Sequence, residues 1–156
     1  MIRAYAPLVG LALARSWPPV DPVAVFAPGA HERSLTGDDL ELAEYRAMTA
    51  AAASLIDEAL DAGSPRAVVA VDVPEAVFAG AAPVVPGVVL AAAVLDPLRV
   101  ASIHIDDPEG FAQLPGERGA AAAALMGSDL LWFSSDEVDQ LIELLAQLGS
   151  DDGLDG

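Results

Sequence analysis

Residues 67–73 read Ala-Val-Val-Ala-Val-Asp-Val, an almost unbroken apolar run rich in β-branched side chains. Such side chains are stiff at χ1 and pack well on a pleated surface, which favours extended backbone. With little polar surface to turn toward water, the run predicts a central strand buried on both faces. Pro74 stops it, because proline has no N–H to continue a ladder. A chain holding this strand must build a sheet around it and pack helices on that sheet.

The clearest helix begins at the acidic group Asp38-Asp39-Leu40-Glu41. These acids complement the positive end of a helix dipole, and Asp38 is the expected N-cap. Leu40, Ala43, Ala47, Ala51, Leu55 and Ala59 recur every three or four residues, and Gly63 with Pro65 supplies the stop. The Ala-rich stripe predicts close approach to the sheet. Further strands are expected over residues 2–6, ended by Pro7, over 23–27, over 98–106 and over 130–133. Residues 84–90 read as a strand or edge segment because Pro86 excludes a central place. Residues 91–95 read as one helical turn. Short helices are expected over 8–17 and from about Arg118. A last helix, capped by Ser134 or Ser135, carries the apolar face Val138, Leu141, Ile142, Leu145 and Leu148 and ends at Gly149. The expectation is a single α/β or α+β domain over residues 1–149, with a mixed sheet of four to six strands and helices packed on it. Residues 150–156 are expected to be an acidic disordered tail.

Composition excludes whole classes of chemistry. Of 156 residues, 24 are acidic and 7 basic, for a net charge of −17; the bases are all Arg, and Lys, Asn and Cys are absent. Without Cys there is no disulfide, thiolate nucleophile, iron–sulfur cluster or Cys-ligated zinc site. Without Lys there is no phosphate-binding loop of the Walker type and no Schiff base. So acidic a chain repels phosphate, and no nucleic-acid partner is expected. No cofactor is expected either. Residues 76–95 carry no charge, but Gly80, Pro83, Pro86 and Gly87 interrupt them. That argues against a membrane helix. Residues 1–14 resemble a short export signal, yet Pro7 breaks the apolar stretch, and a cytoplasmic location is expected.

Three stretches taken together resemble a small actinobacterial family of unknown function. They are Ala70-Val71-Asp72-Val73-Pro74, Val100-Ala101-Ser102-Ile103-His104-Ile105-Asp106-Asp107 and Asp129-Leu130-Leu131-Trp132-Phe133. The helix opening at Asp38, with Glu44-Tyr45, is similar as well. The likeness covers most of residues 1–148 and departs from the family over 76–95. It implies a small cytoplasmic α/β domain and no particular chemistry.

Candidate site residues gather on the strand over 98–106. Ser102, His104 and Asp106 alternate, so they share one face with neighbours about 6.5–7 Å apart. Such a trio invites a nucleophile–base reading, although three parallel side chains orient one another poorly. His104, Asp106, Asp107 and Glu109, joined by Asp72 if its strand is adjacent, are the candidate metal ligands. Trp132 and Phe133 point to opposite faces of their strand, and packing is the expectation for both rings. Trp132 and Tyr45 are nevertheless the candidates for partner binding. From Gly119 onward there are eight acids and no bases, which suits a protein partner with a basic surface. The expected function is a non-enzymatic cytoplasmic interaction or regulatory protein. The alternative is a small hydrolase or metal-dependent enzyme around His104, Asp106 and Asp107.

Overall fold

The computed structural model describes residues 1–154, with side chains through residue 147. Seven strands are formed: β1 (Ile2–Val9), β2 (Val23–Pro28), β3 (Arg66–Val73), β4 (Pro83–Val85), β5 (Val88–Ala93), β6 (Val100–Ile105) and β7 (Leu131–Ser134). The helices are α1 (Gly10–Ser16), α2 (Ala30–Arg33), α3 (Gly37–Ser54), α4 (Ile56–Ala62), α5 (Pro108–Ala112), α6 (Arg118–Met126) and α7 (Val138–Leu154). The strands lie in the order β4-β5-β2-β1-β3-β6-β7. Every pairing is antiparallel. The α/β class holds, but the sheet has seven strands rather than four to six and is antiparallel rather than mixed. The extra strand comes from the interrupted stretch over 76–95, which forms two strands, β4 and β5, where one was expected. There Pro86 and Gly87, the latter at φ +79°, turn the chain between β4 and β5. A proline followed by a residue at positive φ is the pattern of a tight turn, and glycine carries that φ without strain. Residues 91–93, expected as a helical turn, instead pair with Val25, Ala24 and Val23 on β2.

The sheet is covered on both faces. Ala4, Ala6, Val25, Val69, Val71, Ile103 and Ile105 meet Leu13 of α1 and Val138, Leu141 and Leu145 of α7. On the other face Tyr5, Phe26, Val68, Ala70 and Val88 meet Ala47, Ala51 and Ala52 of α3. Adjacent residues fall alternately in the two cores, as strand geometry requires. β3 lies between β1 and β6 and is buried on both faces, as its sequence predicts. Ala47 and Ala51 are fully buried, so the small side chains of the stripe let α3 lie close on the strands.

Local signals depart from expectation at four points. Pro7 does not end β1, which runs to Val9 and pairs with β3 over eight positions while meeting β2 in register only at Tyr5 and Phe26. A single missing donor is tolerated in so long a ladder. Asp38 lies in the first turn of α3, because the helix starts two residues early at Gly37; Thr36 is its N-cap residue, without a side-chain cap bond. The long helix also breaks at Leu55, where the Ser54 hydroxyl donates to the Ala51 carbonyl at 2.6 Å. The stop at Gly63, at φ +61°, is as predicted. Finally, α7 continues past Gly149 to Leu154. An interior glycine costs a helix only about 1 kcal/mol relative to alanine, too little to end it by itself. Residues 155–156 of the expected tail lie outside the described residues. Ser134, an expected cap of the last helix, caps a 3₁₀ turn over Ser135–Glu137 that leads into α7, with the Glu137 carboxylate accepting from the Ser134 amide at 3.1 Å and hydroxyl at 2.9 Å.

Candidate functional site

On its side of the sheet, α3 packs chiefly on β1, β2, β3 and β5. It leaves a groove of about 290 Å³ over β6 and β7. The register sets the groove's floor: Ser102 lies opposite Ala70 on one side and Ser134 on the other, and His104 lies opposite Val68 and Trp132. Ser102 and His104 approach each other along their strand, Oγ to Nε2, at 3.1 Å. Burial lowers the His104 pKa from its ordinary 6.5, so the ring is neutral near pH 7. A neutral imidazole beside a hydroxyl can accept its proton or donate to it, depending on tautomer.

The groove's other walls come from β1 and α3. The Tyr5 hydroxyl donates to Glu44 Oε2 at 3.5 Å. Burial, then the charge of Glu44, pushes the Tyr5 phenol well above its ordinary range. Arg3 Nε donates to Asp72 Oδ1 at 2.9 Å, which holds the guanidinium in its charged form. Glu41, Tyr45 and Met48 of α3 complete that side. Trp132, expected to pack, is 61% exposed, and Tyr45 is 53% exposed. Trp132 sits on the four-residue edge strand β7, whereas Phe133 points the other way and packs on the core that α7 covers. The two partner-binding candidates therefore line one groove.

Asp106 does not join Ser102 and His104. β6 ends at Ile105, and the Asp106 amide donates to the Arg66 carbonyl at 3.0 Å. Its carboxylate accepts from the Arg66 amide at 2.8 Å, from Nε at 3.0 Å and from Nη2 at 2.9 Å. Both side chains are buried. Of the candidate Ser-His-Asp trio, only Ser102 and His104 meet. The candidate metal ligands are also dispersed: Asp72 is bound to Arg3, Asp106 to Arg66, and Asp107 caps α5 by accepting from the Glu109 amide at 3.2 Å. Among the described residues no three His, Asp or Glu side chains come close enough to hold a metal ion. Sequence reasoning missed Arg66, Arg3 and Tyr5. The one available signal was Arg66, a lone charge opening a buried run.

An antiparallel sheet between α3 and the α1–α7 pair, with a polar groove over β6 and β7, defines the class of domain. The chain belongs to a family of unknown function, DUF6912, whose family model matches residues 2–142. No curated protein and no solved structure matches the chain. Among the described residues no helix is long and apolar enough to cross a membrane.

Proposed function

We propose that this protein is a non-enzymatic interaction or regulatory protein of the actinobacterial cytoplasm that binds a protein partner with a basic surface at the α3–β7 groove. One observation carries the reading: two exposed aromatic rings, Trp132 and Tyr45, line the same groove as the acids Glu41 and Glu44. Aromatic faces and carboxylates together attract cations such as the Arg and Lys of a basic surface. A net charge of −17 steers such a partner from a distance. The test is calorimetric titration with a poly-arginine peptide at low and moderate salt. The reading expects saturable binding that weakens with salt and falls about tenfold or more in Trp132→Ala, the loss typical of an interface anchor. Equal binding by wild type and variant would place any interaction elsewhere on the acidic surface.

The 3.1 Å contact between Ser102 and His104 favours one second reading, a small hydrolase. In it His104 accepts the Ser102 proton as the hydroxyl attacks an ester carbonyl and returns it to the leaving alcohol; water, giving its proton to His104, then attacks the acyl-serine, and the acid leaves as Ser102 regains its proton. Turnover of p-nitrophenyl acetate that vanishes in Ser102→Ala supports this reading; turnover unchanged by the substitution removes it.

A further inference from the structure

A second cavity, of about 560 Å³, lies by α3 and the end of α6. That volume is in the range of small-molecule sites. Its apolar wall includes Met48, Ala52, Leu125, Met126 and Leu130. Met126 is 65% exposed, which leaves an apolar side chain facing water at the cavity. Set into this wall are two of the chain's seven arginines, Arg46 and Arg66, against one acid, Asp129.

The arginines differ in kind. Arg66 is buried, and its guanidinium donates from Nε to Asp106, from Nη1 to Ala52 O at 3.2 Å, and from Nη2 to Asp106, Leu125 O and Ser128 Oγ. A guanidinium has five N–H groups, so one Nη1 hydrogen remains without an acceptor among these bonds. Arg46 is exposed and, like Arg15, forms no ion pair among the described residues, whereas Arg3, Arg33, Arg66, Arg99 and Arg118 do. Of these two, Arg46 is the one that lines the cavity. It shares that lining with Arg66, a buried donor with hydrogen-bonding capacity to spare.

We propose that this cavity binds an amphiphilic monocarboxylate of the fatty-acid type. Its chain lies against Met48, Leu125 and Leu130, and its carboxylate pairs with Arg46 and accepts the remaining Arg66 N–H. The overall negative charge opposes an anion at long range. At physiological salt, charges beyond about 8 Å are largely screened; within the cavity Asp106 balances the charge of Arg66, whose remaining N–H still donates, and Arg46 faces the single acid Asp129. The proposal is independent of the groove reading, although Tyr45 and Met48 line both cavities.

The test is calorimetric titration of the full chain with dodecanoate, dodecanol and dodecyltrimethylammonium, each below its micellar concentration, and of the Arg46→Gln variant with the first two. Arg46 is on the surface of α3, so the variant keeps the fold, which circular dichroism checks. Dodecanoate is expected to bind one to one and more tightly than the other two. Arg46→Gln is expected to weaken dodecanoate about tenfold, the size of one charge-assisted hydrogen bond, and to leave dodecanol unchanged. No dodecanoate binding, equal affinity for dodecanol, preference for the ammonium, or an unchanged affinity in Arg46→Gln would each overturn the proposal.

Discussion

Arg66 and Asp106 lie 40 positions apart and are the most deeply buried charges described here, with side chains 3% and 4% exposed. Through Ala52 O and Leu125 O, Arg66 also ties β3 to α3 and α6. Removing one partner of such a pair strands the other charge away from water. Asp106→Ala is therefore expected to destabilise the fold by about 3–5 kcal/mol, read from the urea midpoint; a loss below about 1 kcal/mol, the worth of an exposed pair, would mean that Arg66 finds water. His104 gives a second prediction at this scale. Burial holds its folded pKa below 6.5, so below that pH the unfolded chain takes up a proton that the folded chain resists. Stability thus falls as pH drops from 6.5 toward the lowered folded value. His104→Gln removes this loss, and the variant should gain on wild type progressively below pH 6.5 and hold a constant difference above it. A difference that stays flat from about pH 5 to about pH 8 would show that His104 titrates as an exposed imidazole does.

At the scale of elements, α3 shows how an alanine stripe works. Ala51 is fully buried against the second core, where Phe26, Val68 and Ala70 leave little room. Ala51→Leu is expected to cost about 1–3 kcal/mol by overpacking, measured by thermal denaturation; a neutral result would mean that the helix can lift from the sheet. The stripe and its stop at Gly63 were legible because both depend on spacing within a few residues. The break at Leu55 was not, since the periodic pattern runs straight through it. β6 makes the same point. Strict alternation puts Val100 on the face of Ser102 and His104. The register to β3 shifts between Ala70 and Val71, so that Ser102 pairs with Ala70 and Val100 with Val71. That one extra residue turns Val100 into the core with Ile103 and Ile105.

For the molecule as a whole, charge is the dominant unbalanced term. Ion pairs engage Arg3, Arg33, Arg66, Arg99 and Arg118, yet the net charge remains −17. Self-repulsion of this size destabilises the compact state. The Debye length falls from about 30 Å at 0.01 M salt to about 10 Å at 0.1 M, so Tm is expected to rise between those concentrations in a differential-scanning measurement. A flat or falling Tm would mean that the few ion pairs outweigh the repulsion.

What the amino-acid sequence determined alone is local or compositional. A β-branched run closed by Pro74 makes a buried strand, and Gly63 ends a helix. The absence of Lys and Cys removes their chemistry whatever the fold. Tertiary structure decided which distant residues meet: the strand order, the antiparallel pairing of β4 and β5, the capture of Asp106 by Arg66, and the uncovered end of the sheet where Trp132 and Tyr45 share a groove with Ser102 and His104. Propensity and periodicity act over a few residues. Register, by contrast, is set by contacts between strands far apart in the chain, and a shift of one residue exchanges the faces of every side chain beyond it.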